Sequence, residues 1–435
     1  MSTPMRFRGR PKKNNSLLPA VSLLAVMTSL FVGMYIYNTV QEVKANKAEL
    51  RRVATKELIK REINQAFHMP ALEWPQDLKI DGNLYQVHYT FNEELTDYIK
   101  RLLLHFRSDY STVVVIDNET GAILAAVGHE RESNEFNKNL AFSSTHPAAS
   151  LAKIVASADL IERGLVDRNT TFRHRGRGTT LFRSQLENSN SGRAISFGRA
   201  FAFSNNVVFG QAAIQKSNEK HLFNMAREFG FNQTLMQDID LSQSKIGVAD
   251  SSFNLAELAS GFNRETMVSP IHAAVMSSVI ANDGEMLRPF VVDRVIDQEG
   301  EVFWQLETEK RRILGVDSTE ELDSLMRMTV TTGTGRRDFN VMRHGLKPKL
   351  RIGGKTGSIT GGIPFGRRDW FTAYAVPKDS RFGKGISVAV MNINLEKWYV
   401  RSTHLTKRVI EYYFHNIHPL NESNQAITPL AASTE

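Results

Sequence analysis

Ser150 and Lys153 stand at positions i and i+3 of the stretch HPAASLAK, residues 146–153. At a helix start that spacing puts both side chains on one face, one turn apart. A serine hydroxyl becomes a nucleophile when a neighbouring base takes its proton. A lysine in apolar surroundings has a lowered pKa and can be that base. The next segment, IVASADLIERG, is apolar on a helical period and ends at Gly164. The pair would therefore open a buried helix, with the positive end of its dipole near the serine. The Ser-x-x-Lys pattern recurs at Ser217/Lys220 and Ser242/Lys245. Those two lie in the polar stretches KSNEKHLFNMAREFG and DIDLSQSKIG. Only Ser150 is flanked by small residues and followed by a core-like helix.

Two more short patterns carry polar chemistry. Ser204 and Asn206 lie in FAFSNNVVFGQAAI, between two apolar runs, which suits a tight loop ahead of a buried helix. A second Ser-x-Asn, Ser252/Asn254, opens another helix in SSFNLAELASGF. Lys355, Thr356 and Gly357 end a short run that reads as strand in RIGGKTGSITGG. A strand glycine allows close approach of a ligand. His146 reads as a loop or helix-start residue rather than a base. Arg336 and Arg337 read as surface charge, and so do His415 and His418. There is no His-Glu-x-x-His, and no metal or cofactor is expected.

These residues need elements to hold them. Residues 16–37, SLLPAVSLLAVMTSLFVGMYIY, form a charge-free run long enough to span a bilayer as one helix. The basic segment 1–15 before it carries Arg6, Arg8, Arg10, Lys12 and Lys13, which orients the N-terminus to the cytoplasm. These five residues account for more than half of the net charge of +8, so no basic surface for nucleic acid is indicated elsewhere. The run is long for a cleaved signal peptide, and no small-x-small cleavage site follows it. Residues 38–88 read as a charged stalk helix followed by a linker with Pro70, Pro75 and Gly82. A globular domain is expected over 89–417. It has a hairpin in STVVVIDNETGAILAAVG, loops over 165–200, and antiparallel strands at 369–377 and 385–394. The polar tail 418–435 reads as disordered. The 435 residues contain no cysteine, which excludes a disulfide framework and thiol catalysis.

The ordered set Ser150-x-x-Lys153, Ser204-x-Asn206 and Lys355-Thr356-Gly357 resembles the transpeptidase domain of penicillin-binding proteins. The likeness extends to VVVIDNETGAILAAVG, SNNVVFGQAA, TTGTGRRDF and DWFTAYA, from about Tyr89 to about His415. It implies an α+β fold, an antiparallel sheet flanked by helices with an all-helical subdomain, preceded here by one transmembrane helix. It also implies a monofunctional, class B-like protein of short form. The interval between anchor and domain has no room for a large pedestal or a glycosyltransferase domain. By the same resemblance Ser150 would attack a D-Ala-D-Ala peptide bond and form an acyl-enzyme, with Lys153 as proton acceptor. Ser204 and Asn206 would relay the proton and hold the substrate amide. Lys355 and Thr356 would meet the terminal carboxylate, and the N–H groups of Ser150 and Ser358 would form the oxyanion hole. Two departures stand out: the stretch ASGFNRETMVSP lacks the family's Gly-rich character, and Ser358 stands where Thr is usual.

The resemblance implies a D,D-transpeptidase acting on peptidoglycan stem peptides and acylated by β-lactam antibiotics. With no glycosyltransferase domain of its own, it would work with a separate membrane glycosyltransferase, contacted through residues 16–68. It would sit in the bacterial cytoplasmic membrane with its catalytic domain periplasmic. A β-lactamase or D,D-carboxypeptidase, with water as acceptor, is the alternative. No Glu-x-x-Leu-Asn follows Ser204. A non-enzymatic β-lactam sensor or scaffold is a further reading.

Overall fold

The computed structural model describes residues 18–68, 74–187 and 191–420, without the side chains of 18–22 and 25. The basic segment 1–15 and residues 421–435 lie outside this set. Helix α1, Leu18–His68, is continuous over 51 residues, about 75 Å at the usual helical rise. The chain divides between Arg61 and Glu62 into two compact units. In the first, the large apolar side chains described from Leu23 to Tyr37 are each more than half exposed. Among the described residues no helix is long and apolar enough to cross a membrane. The first part of the apolar run 16–37 lies outside those residues.

In the second unit, the stretch expected as a linker folds instead from Asp77 onward. Strands β1, Asp77–Ile80, and β2, Asn83–Tyr89, form a hairpin. Its turn is Asp81-Gly82, both at positive φ. The alternation Leu78/Ile80 and Tyr85/Val87 buries one face. The partner that makes this a sheet is remote in sequence, so the pattern does not announce itself.

Helix α2, Glu93–Phe106, starts at Asn92, whose side chain accepts from the N–H of Leu95. It leads into β3, Tyr110–Asp117, and β4, Ile123–Glu130, with the short β5, Glu135–Phe136. Helix α3, Ala152–Glu162, follows the Ser150 turn. Residues 165–200, read from composition as loops, contain a two-stranded ribbon, Thr171–His174 with Arg193–Ser196. These strands are short and half polar, which hides their period. Next come α4, Phe197–Ala202, and α5, Asn206–Lys216, then α6, Glu219–Glu228, α7, Ser252–Ser260, and α8, Pro270–Ala281. Strands β6, Val292–Asp297, and β7, Val302–Gln305, complete a sheet ordered β1-β2-β6-β7. Helix α9, Val316–Thr331, precedes the long strands β8, Leu350–Gly361, β9, Gly366–Pro377, and β10, Ile386–Asn394. Helix α10, Ser402–Tyr412, closes the domain. The chain stays packed to Leu420, whose carbonyl accepts from Lys349 Nζ at 2.9 Å, so order runs beyond the expected start of the tail at 418.

The main sheet is antiparallel, ordered β8-β9-β10-β3-β4-β5. One face carries α2 and α10, which bury Leu95, Ile99, Leu405, Val409 and Ile410 against Val113, Val115, Val388 and Val390. Helix α8 covers the other face, and all twelve of its residues are buried. A helix apolar all round is stable only inside a fold. Beyond α8 lies the helical layer. There α3 is packed by α5, α6, α7 and α9, so ten of its eleven residues are buried, Lys153 and Asp159 among them. The α+β architecture expected from the sequence is the one observed. Its consequence for chemistry is that β8 ends the sheet and α3 begins beside it.

Candidate active site

Ser150 lies in a single helical turn, Ala149–Leu151, that runs directly into α3. Its Oγ is 2.9 Å from Lys153 Nζ. The lysine is fully buried and has two further neighbours. Asn206 Oδ1 is at 2.7 Å, and the backbone carbonyl of Ser260 is in hydrogen-bonding contact. The Asn206 amide orientation is fixed by its other end, because Nδ2 donates to the carbonyl of Thr179 at 3.0 Å. Both of these neighbours are therefore acceptors only. A neutral amine has two N–H bonds and one lone pair. In that form the two acceptors would take the two N–H bonds, and the lone pair would face the Ser150 hydroxyl. This is the arrangement a general base requires.

Burial, and secondarily the charge of Lys355, holds the Lys153 pKa well below the ordinary lysine value. Lys355, on β8, is also fully buried, and burial lowers it to about 7. Its Nζ donates to Ser204 Oγ at 3.0 Å and to the carbonyl of Thr356 at 2.9 Å. Aromatic faces lie beside both amines, Phe209 at 5.4 Å from Lys153 and Phe201 at 5.3 Å from Lys355.

The Ser-Asn-Asn segment divides its labour. Ser204 sits at φ +57 where α4 ends. Asn205 is the N-cap of α5, its Oδ1 accepting from the N–H of Val208 at 3.1 Å. The capping asparagine starts the helix, which leaves the outer two residues to face the two lysines. Position 205 explains why the pattern needs a spacer.

Strand β8 is a sheet edge, so every second N–H along it has no ladder partner. Thr356 and Gly357 are only partly exposed or buried, and Ser358 is exposed. A Cβ at Gly357 would meet Ala149 Cβ and Trp370 Cβ, both at 3.3 Å. Glycine there lets the strand lie against the nucleophile turn. Thr356 Oγ1 is 2.7 Å from Thr334 Oγ1, and Thr334 N–H donates to the carbonyl of Ala202. The Gly-rich turn TTGTG is visible in the sequence, but nothing in it marks Thr334 as the partner of Thr356. Ser260 meets Lys153 through its backbone carbonyl, which leaves no side-chain signal.

The rejected patterns separate cleanly. Lys220 and Lys245 are exposed. Ser217 donates to Asp159 instead of meeting a lysine. Ser252 is the first residue of α7, and the cap is its neighbour Ser251. His146 is buried in a two-residue strand with Pro147. Burial, with help from Arg368, pushes its pKa down to about 3. Its Nδ1 faces Arg368 Nη2 at 3.2 Å, so it serves the wall and not the reaction. Arg336 and Arg337 are exposed. A cavity of about 1220 Å³ lined by Trp74, Tyr89, Phe91 and Phe136 contains none of the reactive residues. Concavity alone would have pointed away from the chemistry.

A serine hydroxyl beside a buried amine, with a second lysine on an adjoining edge strand, is an arrangement that suits acyl transfer of the serine type. The chain belongs to the penicillin binding protein transpeptidase domain family, whose pattern it matches over residues 111–393. Among solved structures it is similar to the D,D-transpeptidase domain of a peptidoglycan glycosyltransferase from Eggerthella lenta. The TM-score is 0.62 at 22% identity, over 77% of this chain and 83% of that one. It is also similar to penicillin-binding protein A from M. tuberculosis in an imipenem acyl-enzyme complex. There the TM-score is 0.58 at 20% identity, over 75% of this chain and 79% of that one. These two likenesses concern the fold. In sequence the chain is 24% identical over 280 residues to penicillin-binding protein PbpB of Mycolicibacterium smegmatis (strain ATCC 700084 / mc(2)155), covering 57% of this chain and 40% of that protein. The chain spans 19% and 40% of the lengths of the curated relatives it matches.

Proposed function

We propose that this chain is a peptidoglycan D,D-transpeptidase. Ser150 Oγ attacks the carbonyl of the D-Ala-D-Ala bond of a stem peptide while its proton passes to Lys153. The terminal D-alanine leaves after receiving a proton through Ser204, and the acyl group remains on Ser150. The amine of a second stem peptide then attacks the ester, and Ser150 recovers its proton. Lys355 and Thr356 hold the terminal carboxylate. The N–H groups of Ser150 and Ser358 stabilise the oxyanion, worth roughly 3 kcal/mol per donor. No metal or cofactor takes part. The observation that carries this reading is the buried Lys153 amine, held by Asn206 Oδ1 and the Ser260 carbonyl with Ser150 Oγ 2.9 Å away.

Covalent trapping by penicillin tests it. Mass spectrometry of the trapped protein should find the adduct on Ser150, and Ser150→Ala should abolish labelling with a fluorescent penicillin. Rapid turnover of the adduct would favour a β-lactamase, and release of D-alanine without cross-links a carboxypeptidase. No labelling at all would favour a scaffold or sensor.

Thr334→Val removes the hydroxyl that orients Thr356. The carboxylate contact is made equally in ground and transition states, so KM should rise about tenfold with kcat nearly unchanged. Steady-state release of D-alanine from a pentapeptide measures both constants.

Residues 16–37 act as a single-pass anchor in the bacterial inner membrane, with the N-terminus cytoplasmic and the catalytic domain periplasmic. The exposed Leu23, Leu24, Leu30 and Phe31 on α1 support this reading. The partner is a membrane glycosyltransferase contacted through residues 16–68. Comparing proteins captured with and without that segment tests the partner, and an unchanged set would sink it.

A further inference from the structure

The stretch ASGFNRETMVSP lacks the family's Gly-rich character, yet one of its residues touches the nucleophile turn. Helix α7 ends at Gly261, which adopts φ +67 as its C-cap. Its N–H donates to the carbonyl of Leu258, and Phe262 N–H donates to that of Glu257 at 2.8 Å. Glycine is the usual residue for such a left-handed helix end. The surroundings impose a second demand. A Cβ on residue 261 would lie 1.8 Å from the Ala149 carbonyl oxygen and 3.1 Å from Ser150 N. The bare Cα of Gly261 is thus seated on the peptide that joins Ala149 to the nucleophile.

Ala149 is itself unusual. It holds φ +50, a left-handed conformation that an L-residue carrying a Cβ keeps only when its surroundings over-determine it. Two glycines enclose it. Gly261 lies on its carbonyl, and Gly357 lies on its Cβ side, where a Cβ added at 357 would come within 3.3 Å of Ala149 Cβ. On the N-terminal side, Ala148 N–H donates to the carbonyl of Thr266 at 2.9 Å. Trp370 Nε1 donates to the carbonyl of Pro147 at 3.0 Å. The same end of α7 presents the Ser260 carbonyl to Lys153 Nζ. That carbonyl is free for this role because the last carbonyls of a helix have no partner within it.

We infer that Gly261 is a positioning residue for acylation: its missing side chain seats the Ala149 carbonyl, fixing the left-handed turn that aims Ser150 at Lys153, while the adjoining Ser260 carbonyl holds the amine. One helix end thereby sets nucleophile and base together. The inference rests on the proposed acylation of Ser150. Any side chain at 261 must push the Ala149 carbonyl aside by more than an ångström, and a displacement of that size at a reacting centre costs about 100-fold in rate.

The test uses the full chain and stopped-flow acylation by a fluorescent penicillin. It resolves the rate constant of the covalent step from the dissociation constant of the initial complex. Gly261→Ala and Gly261→Asn should each lower the covalent rate about 100-fold and leave the dissociation constant unchanged. Asparagine tolerates a left-handed φ but carries a Cβ, so a wild-type rate in Gly261→Asn would overturn the inference. Gly164→Ala is the control for backbone strain alone: Gly164 has φ +65 with nothing within 4 Å of its Cβ position, and its variant should acylate normally. A merely structural role would reduce the labelled fraction and the melting temperature while the labelled molecules reacted at the wild-type rate. That outcome also overturns the inference. Should both 261 variants fail to fold, Ala149→Gly decides. It deletes the Cβ that Gly357 confines and should slow the covalent step about tenfold, and an unchanged rate refutes the positioning role. Labelling that survives in Ser150→Ala would instead refute the proposed function.

Discussion

Lys153→Met should lower the rate of acylation by about 1000-fold, with no recovery at alkaline pH. A positioned general base contributes roughly 10²–10⁴ in rate, and the amine 2.9 Å from Ser150 Oγ is the group placed to act as one. Methionine fills similar space without a lone pair of comparable basicity. Stability should hold, because two effects oppose. Asn206 Oδ1 and the Ser260 carbonyl each lose a donor, at about 1–3 kcal/mol for a buried acceptor left unpaired. Against this, the chain no longer buries an amine whose ionised form is strongly disfavoured there. The measurement is pre-steady-state acylation by penicillin across pH 6 to about 10, with thermal melting beside it. Acylation within tenfold of wild type would mean that Lys153 is not the base. Attention would then pass to Lys355, whose pKa of about 7 also permits a neutral amine.

The two lysines have opposite needs, and pH separates them. In the proposed mechanism Lys153 would work as a neutral amine, so activity should be lost on acidification. Lys355 would work as a cation toward a carboxylate, so its contribution should fade as pH rises through about 7. In stability the sign is common to both. Each binds fewer protons folded than unfolded, so each costs stability at low pH, and that cost shrinks as pH rises from the folded toward the unfolded lysine value.

The cluster of Ser150, Lys153, Ser204, Asn206 and Lys355 was legible in the sequence because each is a polar side chain in a short motif of fixed spacing. Local context then decided among the three Ser-x-x-Lys matches, since small and apolar neighbours mark a buried helix start. The residues that escaped act differently. Ser260 works through a carbonyl and Gly261 through the absence of a side chain, and neither leaves a chemical signature in a single sequence. Thr334 meets Thr356 across the cleft, a contact between segments that share no periodicity. The same physics governed the fold. The β8–β10 strands were visible as alternating apolar and small residues. The β1–β2 hairpin read as a linker because the strand that completes its sheet, β6, lies far downstream.

Asn206→Asp tests the electrostatics of the site most severely. In the protein as it stands, Asn206 Oδ1 accepts from Lys153 at 2.7 Å without adding charge. Aspartate keeps the shape, gives up the donation from Nδ2 to the Thr179 carbonyl, and adds a full negative charge beside a buried amine. An opposite charge at that distance favours the ammonium and works against the burial that now holds Lys153 low. The ammonium has three N–H bonds and no lone pair, so Ser150 Oγ becomes its third acceptor and keeps its own proton. As the pKa of Lys153 moves back up toward the ordinary lysine range, the neutral fraction at pH 7 falls. Acylation should drop about 1000-fold at pH 7 and recover steadily toward pH 10. Asn206→Ala is the comparison that separates tuning from contact. It removes the hydrogen bond without adding charge, so its loss should be nearly independent of pH. Parallel profiles for the two variants would show that Asn206 serves only to hold the substrate amide. An alkaline shift confined to the aspartate variant would locate the control of reactivity in the uncharged acceptor beside Lys153.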